Sequence, residues 1–153
     1  MKQIYTIGSS VRNWEECLNI LRHYKVEILI DIRRFPTSRW APHFKKENLK
    51  KLCKKANIEY LWMGEELGGF RKGGYEKFME TETFKKGIRQ VEKLAKKKRV
   101  GLMCAEKFPW QCHRALVGQK LKEIGFSVIH IIEKNKTWLP KEGEKIKPKC
   151  EKH

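Results

Sequence analysis

Aspartate is almost missing from this chain: of its 18 acidic residues only Asp31 is an aspartate, and the rest are glutamates. A shorter carboxylate kept at one place in a glutamate-using chain marks Asp31 as a position where reach matters. Long apolar runs are missing as well. No stretch approaches the roughly 18 residues of a membrane-spanning helix. The opening Met-Lys-Gln-Ile-Tyr-Thr-Ile-Gly also lacks the apolar region and small-residue cleavage site of a secretory signal. The expected location is the cytoplasm, with no membrane partner. Cysteine is sparse and odd in number, at positions 17, 53, 104, 112 and 150. That argues against a disulfide framework, so in a reducing compartment these residues are expected as free thiols, metal ligands or catalytic groups. There is no Cys-x-x-Cys pair, and the adjacent Cys112 and His113 are poor joint ligands for one ion, so neither a metal nor a cofactor is expected.

Positive charge is abundant. Thirty-five Lys and Arg against 18 acidic residues give a net charge of +17, which invites a polyanion partner through counterion release. The same mixture of Lys and Glu on helix surfaces also describes a thermophilic surface, and the composition leaves both readings open. With 153 residues, 40% of them hydrophobic, the chain is long enough for one domain with a full core.

The pattern along the chain alternates strand and helix. Residues 4–7 read as a strand ending at Gly8-Ser9-Ser10. Asn13-Trp14-Glu15-Glu16 then has the form of a capping box, with Trp14, Leu18, Leu21 and Tyr24 at helical spacing. The β-branched run 26–32 predicts a central parallel strand. A helix is expected near 46–56, with Cys53, like Cys17, as a small core residue, and a third strand at 58–63. The periodicity predicts helix again from 75 to about 97, broken near Thr81-Thr83, then a strand at 100–104. A helix opened by Pro109 and closed by Gly125, and a fifth strand at 126–132, complete the series. The expectation is a single α/β domain over 1–133, a mostly parallel central sheet of about five strands with helices on both faces. A basic tail, 134–153, is expected to be partly ordered or irregular.

Ligands of such sheets bind beyond the carboxyl ends of the strands. Four strand ends carry Ser9, the run Asp31 to Arg34, the loop Gly68-Gly69-Phe70-Arg71, and Cys104-Ala105-Glu106 leading to Cys112-His113-Arg114. If Pro109 opens a helix, Cys112, His113 and Arg114 lie near its first turn, where backbone N–H groups and the dipole attract a phosphate or carboxylate. Arg114 adds a bidentate fork and His113 a donor or general acid. Cys104 and Cys112 read either as nucleophiles with lowered pKa or as core residues. Asp31, two positions before Arg33 on the same strand face, reads either as a general base or as half of a structural ion pair, and Glu106 is the second candidate carboxylate. The glycine loop suits a flexible grip on an anion, and Trp40, Phe70 and Tyr75 are candidates to stack on a base.

Taken together, "YTIGSS", "DIRRFPTSRW", "ELGGFR" and "CAEKFPWQCHR" resemble the domain of unknown function 488 family of prokaryotic proteins, over about residues 4–132. The resemblance implies a compact α/β domain marked at Asp31, Arg33, Pro36, Ser38, Gly68, Gly69, Arg71, Cys104, Glu106, Cys112, His113 and Arg114. Relatives often read Gly-His-Ser where this chain has Gly8-Ser9-Ser10, so no histidine role carries over to that strand end.

The leading expectation is an enzyme, a hydrolase or transferase, acting on a phosphate-bearing small molecule or nucleic acid. Its catalytic candidates are Asp31, Glu106, His113 and Cys104. Its substrate-binding candidates are Ser9, Arg33, Ser38, Gly68, Gly69, Arg71, Cys112 and Arg114. The alternative is a noncatalytic nucleic-acid-binding module that uses its lysine-rich surface. The sequence sets no oligomeric state.

Overall fold

A computed structural model describes residues 2–37 and 41–141. Its element order is β1 (Gln3–Gly8), α1 (Trp14–His23), β2 (Ile28–Asp31), α2 (Lys46–Lys55), β3 (Glu59–Trp62), α3 (Gly64–Leu67), α4 (Tyr75–Phe78), α5 (Glu82–Ala95), β4 (Val100–Cys104), α6 (Arg114–Glu123), β5 (Ser127–Glu133) and β6 (Lys136–Trp138). Short 3-10 turns at Pro42–Phe44 and Pro109–Gln111 complete it.

One six-stranded sheet runs β3-β2-β4-β1-β5-β6. The first five strands are parallel, and β6 alone is antiparallel, against β5. Helices cover both faces, as the alternating pattern predicts. Side chains of adjacent strand residues point to opposite faces. Tyr5, Ile7, Leu29 and Met103 thus meet Cys17, Leu18, Leu21, Leu49 and Cys53 of α1 and α2. Ile4, Ile28, Ile30, Val100, Leu102 and Cys104 meet α3 to α6, through Leu67, Tyr75, Phe84, Val91 and Val117. Strands β2 and β4, buried on both faces, are apolar for that reason up to the Asp31 that ends β2.

Local chemistry starts the helices where the residues predict. Asn13 Oδ1 accepts the Glu16 N–H at 2.8 Å and caps α1, and Asn13 Nδ2 donates to Glu16 Oε1 at 3.5 Å. Thr81 caps α5 through Phe84 N–H at 3.3 Å, so the break at Thr81 separates two helices, α4 and α5. Pro109 opens a single 3-10 turn, and α6 begins only at Arg114, with His113 as its cap residue. The sixth strand, β6, falls within the segment expected to be a tail; the end of that segment, 142–153, lies outside the described residues.

Candidate functional site

The parallel register brings the carboxyl ends of β1, β2, β3 and β4 to one rim: Gly8 pairs with Cys104, and Asp31 with both Met103 and Trp62. The loops leaving β2 and β4, which are neighbours, diverge to opposite faces, and this is where an open α/β sheet forms its crevice. The His113 ring spans that point, its Nε2 lying 3.1 Å from the Ile32 carbonyl.

The sheet divides the predicted constellation in two. Asp31 is in register with Met103 and shares its face, toward α1 and α2, whereas Cys104, one residue on, faces α5 and α6. On the first face Asp31 is fully buried and accepts four hydrogen bonds. They come from Arg33 N (3.1 Å), Arg33 Nε (2.8 Å), Arg33 Nη2 (2.7 Å) and Tyr60 Oη (2.6 Å). Arg33 Nη2 also donates to the Phe44 carbonyl at 2.6 Å, tying the turn at Pro42–Phe44 to the end of β2. Burial lowers the Arg33 pKa, but the hydrogen bond and charge of Asp31 outweigh it and the net shift is upward. Burial, with the Asp31 charge, pushes the Tyr60 hydroxyl up so that it stays a donor. Every lone-pair direction of the carboxylate is occupied, which makes the pair a brace.

On the other face the structure joins Cys104 and Cys112 as a disulfide, both sulfurs buried, in place of the free thiols that the cysteine count suggests. The two lie eight residues apart in sequence, and the odd, sparse cysteines gave no sign of the pairing. Cys104 as placed is therefore no free nucleophile. Cys17 and Cys53 are buried free thiols, as expected, and burial raises each to a pKa of about 12. His113 Nδ1 lies 3.6 Å from Cys112 Sγ. Because the Ile32 carbonyl can only accept, His113 carries its proton on Nε2. Burial lowers its pKa to about 4, only partly countered by that hydrogen bond, so the ring is neutral at pH 7.

Arg114 is the largest fully buried side chain of the domain. Its Nη2 donates to the Lys107 carbonyl at 2.8 Å, while among the described residues Nε and Nη1 have no hydrogen-bond partner. Burial and then the nearby Arg12 guanidinium lower its pKa to about 9; Glu106, half-buried on the loop after β4, opposes them. Ser9 is buried, its N–H held by the Cys104 carbonyl at 2.7 Å. Gly8 is obligatory: a Cβ there would collide with the Glu106 carbonyl.

The third predicted group lies along the loop after α3. Arg71 Nε donates to the Gly68 carbonyl at 2.8 Å, and its Nη2 to Gly64 at 2.9 Å and to Glu65, satisfying the carbonyls at the end of a short helix. Its guanidinium lies 3.8 Å from the Phe78 ring centroid. A Cβ on Gly68 would meet Arg34 Cα at 2.7 Å, so glycine lets this loop abut the loop from β2; Gly69 beside it is buried. Of the stacking candidates, Tyr75 is core, its hydroxyl donated to the Leu67 carbonyl at 2.6 Å. Ser38 and Trp40 lie outside the described residues.

Between these two loops opens a cleft of about 580 Å³ lined by Arg34, Phe70, Arg71, Lys72, Lys77 and Phe78. Sequence reasoning singled out Arg71 and Phe70, with Lys72 in the same glycine loop and Arg34 in the run leaving β2, but missed Lys77 and Phe78. For Arg34 a signal was present: consecutive arginines leaving a strand diverge, so one of Arg33 and Arg34 must face away from Asp31. Lys77 was lost among many lysines. Among the described residues no cluster of three or more His, Cys, Asp or Glu could hold a metal ion, and no helix is long and apolar enough to cross a membrane.

No curated protein matches the chain. The model of the family described as Domain of unknown function DUF488 matches residues 13–121, across both loops of the cleft and the disulfide loop, and the chain belongs to that family.

Proposed function

We propose that the domain binds a phosphate-bearing ligand, a nucleotide or nucleic acid, in the cleft between the β2 and α3 loops. The observation that carries this reading is the lining: four cations, Arg34, Arg71, Lys72 and Lys77, converge on one concavity with two phenylalanine rings and no carboxylate. Two of the cations are fixed in advance. Arg71 is held by three carbonyls and Arg34 by the Phe70 carbonyl at 2.6 Å, so little side-chain order is lost when an anion arrives. The net charge of +17 adds long-range attraction for the same ligands.

The test is the salt dependence of binding to a labelled oligonucleotide. With about four phosphates neutralised, log K should fall with log salt at a slope of about −3 to −4, and Lys72→Ala/Lys77→Ala should flatten it by about 1 to 2. Binding that is absent, or that ignores both lysines, would overturn the reading.

One observation favours the catalytic version, a hydrolase or transferase: neutral His113 presents Nδ1 to Cys112 Sγ beside the buried Arg114. Once the disulfide is reduced, Cys112 S–H and His113 Nδ1 form a thiol–base pair of the kind that activates a nucleophile. Turnover of phosphoesters in the presence of reductant, lost in Cys112→Ser and in His113→Gln, would establish it. Turnover unchanged in both variants would remove it.

A further inference from the structure

Two large apolar rings stand in solvent at the mouth of the cationic cleft, where burial would be the default. Phe35 is 60% exposed and Phe70 39%. Their centroids are 6.1 Å apart with planes at 39°, so they form one tilted platform. The backbone around them is specialised. Phe70 sits at φ +60°, a left-handed conformation that glycine adopts freely and a bulky residue does not. The preceding Gly68 and Gly69 could have supplied that turn more cheaply. An aromatic side chain held at a strained position points to a use for the ring. Its carbonyl accepts from Arg34 Nη1 at 2.6 Å, and the Arg34 guanidinium lies 5.3 Å from the Phe35 centroid. Ring pair and cation are thus held together, and Arg71, Lys72 and Lys77 line the same cleft as Arg34 and Phe70.

We propose that the ligand of this cleft is single-stranded nucleic acid, with a base stacked on the Phe35–Phe70 platform and its flanking phosphates held by Arg34, Arg71, Lys72 and Lys77. The proposal rests on the phosphate-binding reading above and narrows it. Duplexes offer only base edges in their grooves, so an exposed aromatic platform selects strands whose base faces are free. A mononucleotide site encloses most of its ligand, whereas these rings project outward and cover one face of a base only. Such a platform suits a strand that continues on either side. The surface continues with it: Lys46 lies 4.3 Å from the Trp62 ring at the neighbouring end of β3, a second cation–aromatic pair on the same rim.

The experiment is fluorescence anisotropy with the full chain, using a labelled oligothymidylate of about 12 nucleotides. An abasic strand of the same length and a duplex of the same sequence are the comparison ligands. The oligothymidylate is expected to bind about 5- to 150-fold more tightly than the abasic strand, the range for one stacked base. Phe35→Ala/Phe70→Ala should erase that difference. Phe70→Leu, which keeps the apolar bulk, guards against a folding artefact and should also lose the preference. Lys72→Ala/Lys77→Ala should weaken both strands. If the two strands bind alike and the phenylalanine variants are silent while the lysine variant weakens both, the stacking proposal falls and phosphate binding stands. If the lysine variant changes nothing, phosphate binding at this cleft falls with it. A duplex or thymidine monophosphate binding as tightly as the strand would also overturn the proposal.

Discussion

Replacing Arg114 by methionine should make the protein more stable. Arg114 is fully buried, yet among the described residues only its side-chain Nη2 has a hydrogen-bond partner, the Lys107 carbonyl, and Arg12 adds like-charge repulsion. The fall of its pKa to about 9 corresponds to a penalty on the charged form on the order of 5 kcal/mol. Losing one hydrogen bond to a charged donor returns about 1.5–3 kcal/mol of that. Methionine has a similar reach and fills irregular space without donors. A net gain of about 1–4 kcal/mol follows, the range seen when buried charges are replaced by apolar groups. For a chain of this size that raises Tm by roughly 3–10 °C. Calorimetry of Arg114→Met against the native protein reads it directly. The pH dependence supplies a second check. Because the folded pKa lies below the unfolded one, the unfolded chain binds more protons above pH 9, and the native protein gains stability there as pH rises. The advantage of Arg114→Met should therefore be full below pH 9 and shrink above it. A lower Tm for Arg114→Met at pH 7, or a gap that widens above pH 9, would refute the reasoning.

Acid should weaken the fold before any carboxylate titrates. His113 and His130 are buried neutral, at about 4 and about 3 against 6.5 when unfolded, with burial the main cause in each. Below pH 6.5 the unfolded chain takes up protons that the native state refuses, so stability falls with pH, His113 alone costing roughly 3 kcal/mol by pH 4. Urea midpoints that stay flat from pH 7 to pH 5 would contradict this. Asp31→Asn leaves Arg33 as a buried cation without its counter-charge and should cost about 3–5 kcal/mol, read as a lower urea midpoint; a loss under 1 kcal/mol would mean that the pair is no brace. Thiol titration of the native protein without reductant should find Cys104 and Cys112 unreactive even in denaturant, and reactive after reduction; both reacting in denaturant alone would show that they are not joined.

Much of the fold was legible because burial imposes periodicity. The doubly buried strands β2 and β4 read as apolar runs, and the Asn13 cap and the break at Thr81 follow from side-chain chemistry within four residues. Strand β6 was not legible. Lys136-Thr137-Trp138 is three residues long, at the sheet edge, and held by pairing to β5 that its own sequence does not encode. The same limit applies at the site. Four strand ends could be assigned to one rim from alternation alone, but the face on which each side chain emerges depends on where its strand ends relative to its neighbour. Asp31 is level with Met103, not Cys104, and that single-residue offset puts the two catalytic candidates on opposite sides of the sheet.

This separation changes what the motif residues do. Asp31 and Arg33 spend their hydrogen bonds on each other, on Tyr60 and on the Phe44 carbonyl, which fixes how the chain leaves β2. Arg71 spends Nε and Nη2 on the carbonyls of Gly64, Glu65 and Gly68, which fixes how the chain leaves α3. Gly68 then allows the two loops to touch at Arg34. The residues that catch the eye in "DIRR" and "LGGFR" are in this view the frame, and their neighbours Arg34, Phe35 and Phe70 are what the frame presents. A frame of this kind is rigid because each cation in it is matched by carbonyls or a carboxylate. Arg114 breaks that pattern: among the described residues it is a buried cation whose Nε and Nη1 have no partner, so its charge lowers stability by more than its one bond to the Lys107 carbonyl returns.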